Sequence, residues 1–138
     1  MAVDNETILN AILSTSTADH YGLPVVEIDG CEYAVARGED EVLRACRKYI
    51  EGALWTFNTS FLLQHMNVPA SFDASFEEAL RATQRRQSEE GNAMIRECIK
   101  DIDALVEAAI AAEGAGHFLS AYDGNEAEHL GAYWFQVS

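Results

Sequence analysis

The dipeptide Asp29-Gly30 restricts the fold more than any other short segment of this chain. Two β-rich runs flank it, so Pro24 to Ala36 reads as a hairpin: a type I′ turn needs positive φ at both central residues, and Asp-Gly supplies it. A two-residue turn allows one register, with Ile28 opposite Cys31, Glu27 opposite Glu32 and Val26 opposite Tyr33. Alternation then places Val26, Ile28, Cys31, Tyr33 and Val35 on an inner face, with Glu27 and Glu32 together on the outer face. Directly opposed like charges cost stability in a sheet, so this pair calls for a reason other than folding.

Around the hairpin the apolar spacing turns helical. Ile8, Leu9, Ile12 and Leu13 predict a short amphipathic helix capped by Asp4 or Asn5 and ended by residues 14–17. Gly38-Glu39-Asp40 opens a second helix, expected from Asp40 to Met66 and ended at Asn67-Val68-Pro69. Its second half, Gly52 to Met66, carries no Lys, Arg, Asp or Glu and contains Trp55, Phe57 and Phe61. That half is expected to be central core or a dimer contact. Ser75 and Glu78 fit a capping box for a helix to about Glu90. After a break at Gly91-Asn92, another helix is expected from Ala93 to about Ala112, with Ile95, Ile99, Ile102, Val106 and Ala109 as a packing seam. The tail alternates again, predicting strands at His117 to Tyr122 and Ala132 to Val137 about a turn at Asp123-Gly124-Asn125. The expected architecture is α+β in one domain, residues 1–138. Three or four helices pack on a small antiparallel sheet formed by the N-terminal hairpin and the C-terminal strands.

Charge is the second constraint. Twenty-three acids against nine bases give a net −14, which excludes binding to nucleic acid or an anionic membrane through bulk charge. The excess is not evenly spread. Residues 1–36 hold six acids and residues 101–138 hold seven, and neither segment has a Lys or Arg. The ten acids of 37–100 face all nine bases. If both ends join one sheet, their carboxylates share a surface. Several look costly: Asp103 with Glu107 and Glu97 with Asp101 are i, i+4 like-charge pairs. Glu107 and Glu113 are read as lying near a helix C-terminus, where the dipole favours cations. A solvated face kept for solubility, or adaptation to high salt, yields the same composition. The functional alternative is a surface for a basic partner, in its sharpest form carboxylates that imitate nucleic-acid phosphates.

Other chemistry is faint. Arg81, Arg85, Arg86 and Arg96 form the one basic cluster, which i, i+4 pairing with Glu77, Glu89 and Glu90 largely explains. No two histidines have metal-ligand spacing on a helix, and no nucleophile elbow, P-loop or dinucleotide fingerprint occurs. Glu126, Glu128 and His129 lie close in sequence and make only a weak metal-ligand pattern. Cys31, Cys46 and Cys98 form neither a disulfide framework nor a CxxC pair, and read as small hydrophobes in a reducing cytoplasm. The first fourteen residues lack a basic segment before an apolar one, so no secretory signal is expected. No apolar run approaches the roughly 18–20 residues a membrane span requires, and Glu107 interrupts the best candidate, Ala104 to Ala112.

The run Phe118-Leu119-Ser120-x-Tyr122-Asp123-Gly124-Asn125-Glu126, followed by Tyr133-Trp134-Phe135-Gln136-Val137, resembles the tail of a group of small bacteriophage and bacterial proteins without assigned activity. Those tails read Y-D-G-N-E before an aromatic strand that often ends in Y-R-x-N, and here Gln136 stands where the arginine is usual. The resemblance implies a mobile-element setting, in which small acidic proteins inhibit host defence nucleases of the CRISPR or restriction kind.

The expected function is therefore non-enzymatic: an acidic protein of the bacterial host cytoplasm, without cofactor or metal. It would bind the basic nucleic-acid-binding surface of a host complex, and neither nucleic acid directly nor a membrane. The candidate contact residues are Glu27, Asp29, Glu32, Asp101, Asp103, Glu107, Glu113, Asp123, Glu126 and Glu128. The alternative is a structural or assembly protein, a homodimer through the charge-free half of the long helix.

Overall fold

The computed structural model describes residues 4–16, 18–68 and 73–138. In chain order its elements are α1 (Asn5–Leu13), β1 (Ala18–His20), β2 (Leu23–Ile28), β3 (Cys31–Ala36), α2 (Glu39–Glu51), α3 (Thr59–Leu63), α4 (Asp73–Gln87), α5 (Asn92–Cys98), α6 (Ile102–Glu113), α7 (Ala115–Leu119), β4 (Ala127–His129) and β5 (Ala132–Gln136). The fold is α+β. The chain forms two compact units, one of Met1–Tyr49 with Ala109–Ser138 and one of Ile50–Ala108.

The first unit holds a five-stranded antiparallel sheet in the order β1-β2-β3-β5-β4, built from both ends of the sequence as expected. The hairpin register is the one the Asp29-Gly30 turn dictates, with Glu27 opposite Glu32 and Val26 opposite Tyr33. The same device closes two further hairpins. Tyr21-Gly22 joins β1 to β2 and Leu130-Gly131 joins β4 to β5, each with positive φ at both residues, as at Asp29-Gly30. Strands β1 and β4 were not anticipated, because Tyr and Leu seldom adopt positive φ.

Helices pack on both faces of the sheet. Leu9 of α1 packs with Val26, Val35, Ala132 and Trp134 on the first face. Asp4 caps α1, its carboxylate accepting from the Thr7 amide at 2.7 Å. The second face was expected to point outward, yet Val25, Ala34 and Phe135 lie there fully buried, at 5%, 0% and 0% exposure. Helices α2 and α7 serve this side. Tyr49 of α2 stacks between Tyr21 and Phe118, and His20 Nε2 lies 2.8 Å from the Leu119 carbonyl. Residues 115–119, at the start of the expected strand, thus form helix α7. Its Gly116 admits no side chain, since a Cβ there would sit 2.5 Å from the Gly124 carbonyl oxygen.

In the second unit the expected long helices are broken. Helix α2 ends at Glu51, a 3-10 turn spans Leu54–Thr56, and Asn58 caps the short α3 by accepting from the Phe61 amide. Backbone groups freed at such a break must find partners. Asn92 donates to the Gly52 carbonyl at 2.8 Å and accepts from the Trp55 amide at 2.9 Å. The buried Gln84 amide donates to the Phe57 carbonyl at 2.7 Å and accepts from the Thr59 hydroxyl at 2.6 Å. Two side-chain amides thus replace the hydrogen bonds a continuous helix would have made. Leu54, Leu62 and Met66 are core, whereas Phe57 and Phe61 are only half-buried, with ring centroids 5.9 Å apart. The expected stop at Pro69 lies outside the described residues.

Ser75 is no N-cap, since α4 already runs at Asp73. The helix expected from Ala93 to Ala112 is interrupted at residues 99–101. Ile99 turns extended and bridges Met66, and the Lys100 amide donates to the His65 carbonyl. The seam keeps its burial across the interruption: Ile95, Ile99, Ile102, Val106 and Ala109 are all at most 6% exposed.

Candidate partner-binding surface

The ten candidate carboxylates do not form one set. Asp101, Asp103 and Glu107 lie in the second unit and the other seven in the first. Those of the second unit are also less costly than the sequence suggests. Asp101 Oδ1 accepts from the Ala104 amide at 3.2 Å and caps α6, where the helix dipole favours an acid. Helix α5 ends at Cys98, so Glu97 and Asp101 are not a helical i, i+4 pair. Asp103 sits in the first turn of α6 and Glu107 near its middle, while Glu113 alone occupies its C-terminus. Only the Asp103–Glu107 repulsion and the dipole mismatch at Glu113 survive.

Within the first unit, Glu27 and Glu32 are cross-strand neighbours as expected. They lie next to the closing pair of a two-residue hairpin, at a position where side chains approach closely. Glu32 has a structural partner as well, accepting from the Ser138 hydroxyl at 2.8 Å. The charges of Asp29 and Asp123 both act on Tyr33. Partial burial first, then Cys31 and these two carboxylates, raises the phenol above its ordinary pKa.

Asp123 is held by the loop that carries it. Its Oδ1 accepts from the Asn125 amide at 2.9 Å and lies 2.9 Å from the Ser120 hydroxyl. These bonds, the Asn125 amide foremost, keep the carboxyl below the usual range, so it is ionised. Glu126 is the opposite case. Burial, then the charges of Glu128 and Glu39, pushes its carboxyl up. Glu39 opens α2, so three glutamates gather around Tyr133, whose phenol is raised by burial and by Glu39, Glu128 and Glu126 in turn.

A cleft of about 370 Å³ lies on the α1 side of the sheet. Ile12, Ile28, Tyr33 and Trp134 make its apolar wall, and Asp123, Glu126 and Gln136 its polar rim. Tyr33 and Trp134 meet edge to face at 6.0 Å, and the Trp134 ring nitrogen donates to the His129 carbonyl. Among the described residues neither Lys nor Arg lines the cleft. No local signal announces it, because its walls come from residues 12, 28–33 and 123–136, which only the sheet brings together.

The remaining chemistry disperses. Alternation along β4 sends His129 to the cleft and Glu128 to the opposite face beside Tyr133, which separates the supposed Glu126–Glu128–His129 ligands. Among the described residues no three His, Cys, Asp or Glu side chains gather as a metal-binding group. Of the cysteines only Cys46 is buried, and burial with Glu126 nearby pushes its thiol up to about 12, leaving an unreactive side chain. The Glu77–Arg81 pair forms at 2.9 Å, but Arg96 turns from its cluster to Glu51 at 3.1 Å. Among the described residues no helix is long and apolar enough to cross a membrane.

Fold and surface together describe a small acidic α+β protein with a carboxylate-rimmed apolar cleft. Compared with known protein families, curated proteins and solved structures, the chain matches none.

Proposed function

We propose that the protein is a non-enzymatic inhibitor that docks on the basic nucleic-acid-binding surface of a host defence nuclease, a CRISPR or restriction complex, in place of the nucleic acid. The charge of the sheet-bearing unit carries this reading: thirteen acids against four bases, with all four bases confined to Arg37, Arg44, Arg47 and Lys48. Arg37 is already engaged by Asn10 at 2.6 Å. Burial, then the charges of Glu128 and Glu39, raise the Glu126 carboxyl, an environment that a cationic partner would favour. The resemblance of the tail to phage proteins supports the same setting.

The test is plaque formation by a restricted phage on hosts carrying defined CRISPR-Cas or restriction systems, with and without the protein. Wild type restores plaques on at least one host. The double reversal Glu126→Lys with Glu128→Lys abolishes the effect, and Asp103→Lys with Glu107→Lys tests the second unit separately. No rescue on any host by the wild type overturns the reading.

A second reading, self-assembly, draws on the half-buried row Phe57, Phe61 and His65 of the second unit, with Phe61 and His65 rings 5.1 Å apart. A homodimer that resists high salt and dissociates on Phe61→Ser would favour it.

A further inference from the structure

We infer that the cleft on the α1 side of the sheet receives one cationic side chain, Arg or Lys, with an adjoining apolar residue, from a protein partner. The inference rests on the docking reading above and assigns its anchor. The chemistry is on the walls. Aromatic faces and edges at Tyr33 and Trp134, together with the carboxylates Asp123 and Glu126, are the groups that recognise a cation beside apolar surface. Ile28, 38% exposed, offers the apolar contact for the neighbouring residue.

Charge selects the occupant's sign. The loop bonds of Asp123 fix a negative charge on the rim, and no cationic side chain of the cleft neutralises it. Glu126 adds a second carboxylate to the same lining, and a cation entering beside it would be drawn to both. An anionic or purely apolar occupant would meet the same two carboxylates without compensation.

Openness selects a macromolecule over a free small molecule. Small-molecule sites bury most of their ligand. Here Ile28, Asp123, Asn125, Glu126 and His129 are all exposed, and the volume is at the low end of the usual range of about 300–1,000 Å³. A lone small cation would remain largely in water. A side chain held by a larger interface would not need full enclosure, and the exposed Asp29, whose charge acts on Tyr33, lies nearby to extend the contact.

The cleft contains its own reporter. Trp134 lines it, and Trp55→Phe in the second unit leaves Trp134 as the sole tryptophan. The probes are a heptapeptide of alternating Arg and Leu and its Glu-Leu counterpart, titrated while Trp134 emission is followed. The Arg-Leu peptide shifts the emission saturably and the Glu-Leu peptide does not. Glu126→Lys weakens the Arg-Leu response about tenfold or more, as expected when attraction at close range becomes repulsion. A silent Trp134, equal responses to both peptides, or an unaltered Glu126→Lys overturns the inference. The docking reading fails separately, in the plaque assay: rescue of plaques with a silent cleft would place the contact elsewhere on the acidic surface, and a responsive cleft without rescue would leave a cation site with a different partner.

Discussion

Gln84 tests whether side-chain amides really hold the broken helix in place. It is 8% exposed, donates to the Phe57 carbonyl at 2.7 Å and accepts from the Thr59 hydroxyl at 2.6 Å. Gln84→Met keeps the volume and removes these two short bonds along with the longer ones to the Leu54 and Trp55 carbonyls. Two buried or half-buried polar groups then lose partners, at about 1–3 kcal/mol each. The expected loss is about 3 kcal/mol, a large part of a typical total of about 5–15 kcal/mol. With a urea m-value of about 2 kcal/mol/M, the unfolding midpoint falls by about 1.5 M. Adding Thr59→Val removes one orphan and should recover about 1 kcal/mol, so the double variant is more stable than Gln84→Met alone. Urea titrations followed by far-UV circular dichroism and by tryptophan emission measure both. A midpoint shift below about 0.3 M for Gln84→Met, or a double variant less stable than the single, would refute the account.

Three further outcomes follow from the described contacts. Glu27→Lys turns the cross-strand repulsion with Glu32 into attraction without touching the Ser138 bond, so it should stabilise by a few tenths of a kcal/mol, and calorimetry should show a small rise in Tm. Asp101→Ala removes the cap of α6 and should destabilise by about 0.5–2 kcal/mol in denaturant titration, although it also lowers the net negative charge; a neutral or stabilising result would contradict the cap. Asp123 has a folded pKa below its ordinary 3.8, so its contribution is present above that value and is lost as pH falls through the lowered one. Asp123→Asn should therefore cost stability near neutrality and flatten the acid limb of a stability-versus-pH curve, and an unchanged limb would show that the loop bonds do not form.

The sheet was legible where its turn was conventional. Asp29-Gly30 fixed β2 against β3 to the residue, and the aromatic alternation of the tail located β5. The two other hairpins use the same geometry with Tyr21 and Leu130 at the strained position, and neither residue advertises a turn. The missing strands are three residues each, too short for alternation to register. The helix breaks were hidden for another reason. Apolar spacing continues straight through 52–58 and 99–101, because the core is continuous there even though the backbone is not. What breaks the helix is the supply of alternative hydrogen bonds, Asn92 and Gln84 at one break and His65 at the other. Such partners are distant in sequence and carry no local signal.

The cleft follows from a mismatch of dimensions. Five strands about 4.8 Å apart span about 19 Å between the outer two, and α1, nine residues long, reaches about 14 Å at 1.5 Å per residue. A single helix about 10 Å across therefore leaves part of the face bare. Leu9 covers Val26, Val35 and Ala132, while Ile12 stands at the margin, where Tyr33 and one side of Trp134 remain open to the cleft. A chain selected for folding alone would close this gap with a longer helix or fill it with aliphatic side chains. Instead the loop from Ser120 to Glu126 borders the gap and carries Asp123, fixed by two bonds, and Glu126, whose charge is resisted by its neighbours. The acidity of the tail, visible in the sequence as an unexplained excess, thus lies beside a stretch of apolar sheet that α1 covers only at its margin, through Ile12. The half-buried Tyr33 ring and the edge of Trp134 that lines the cleft, set beside this negative charge, are what a cationic side chain would recognise there.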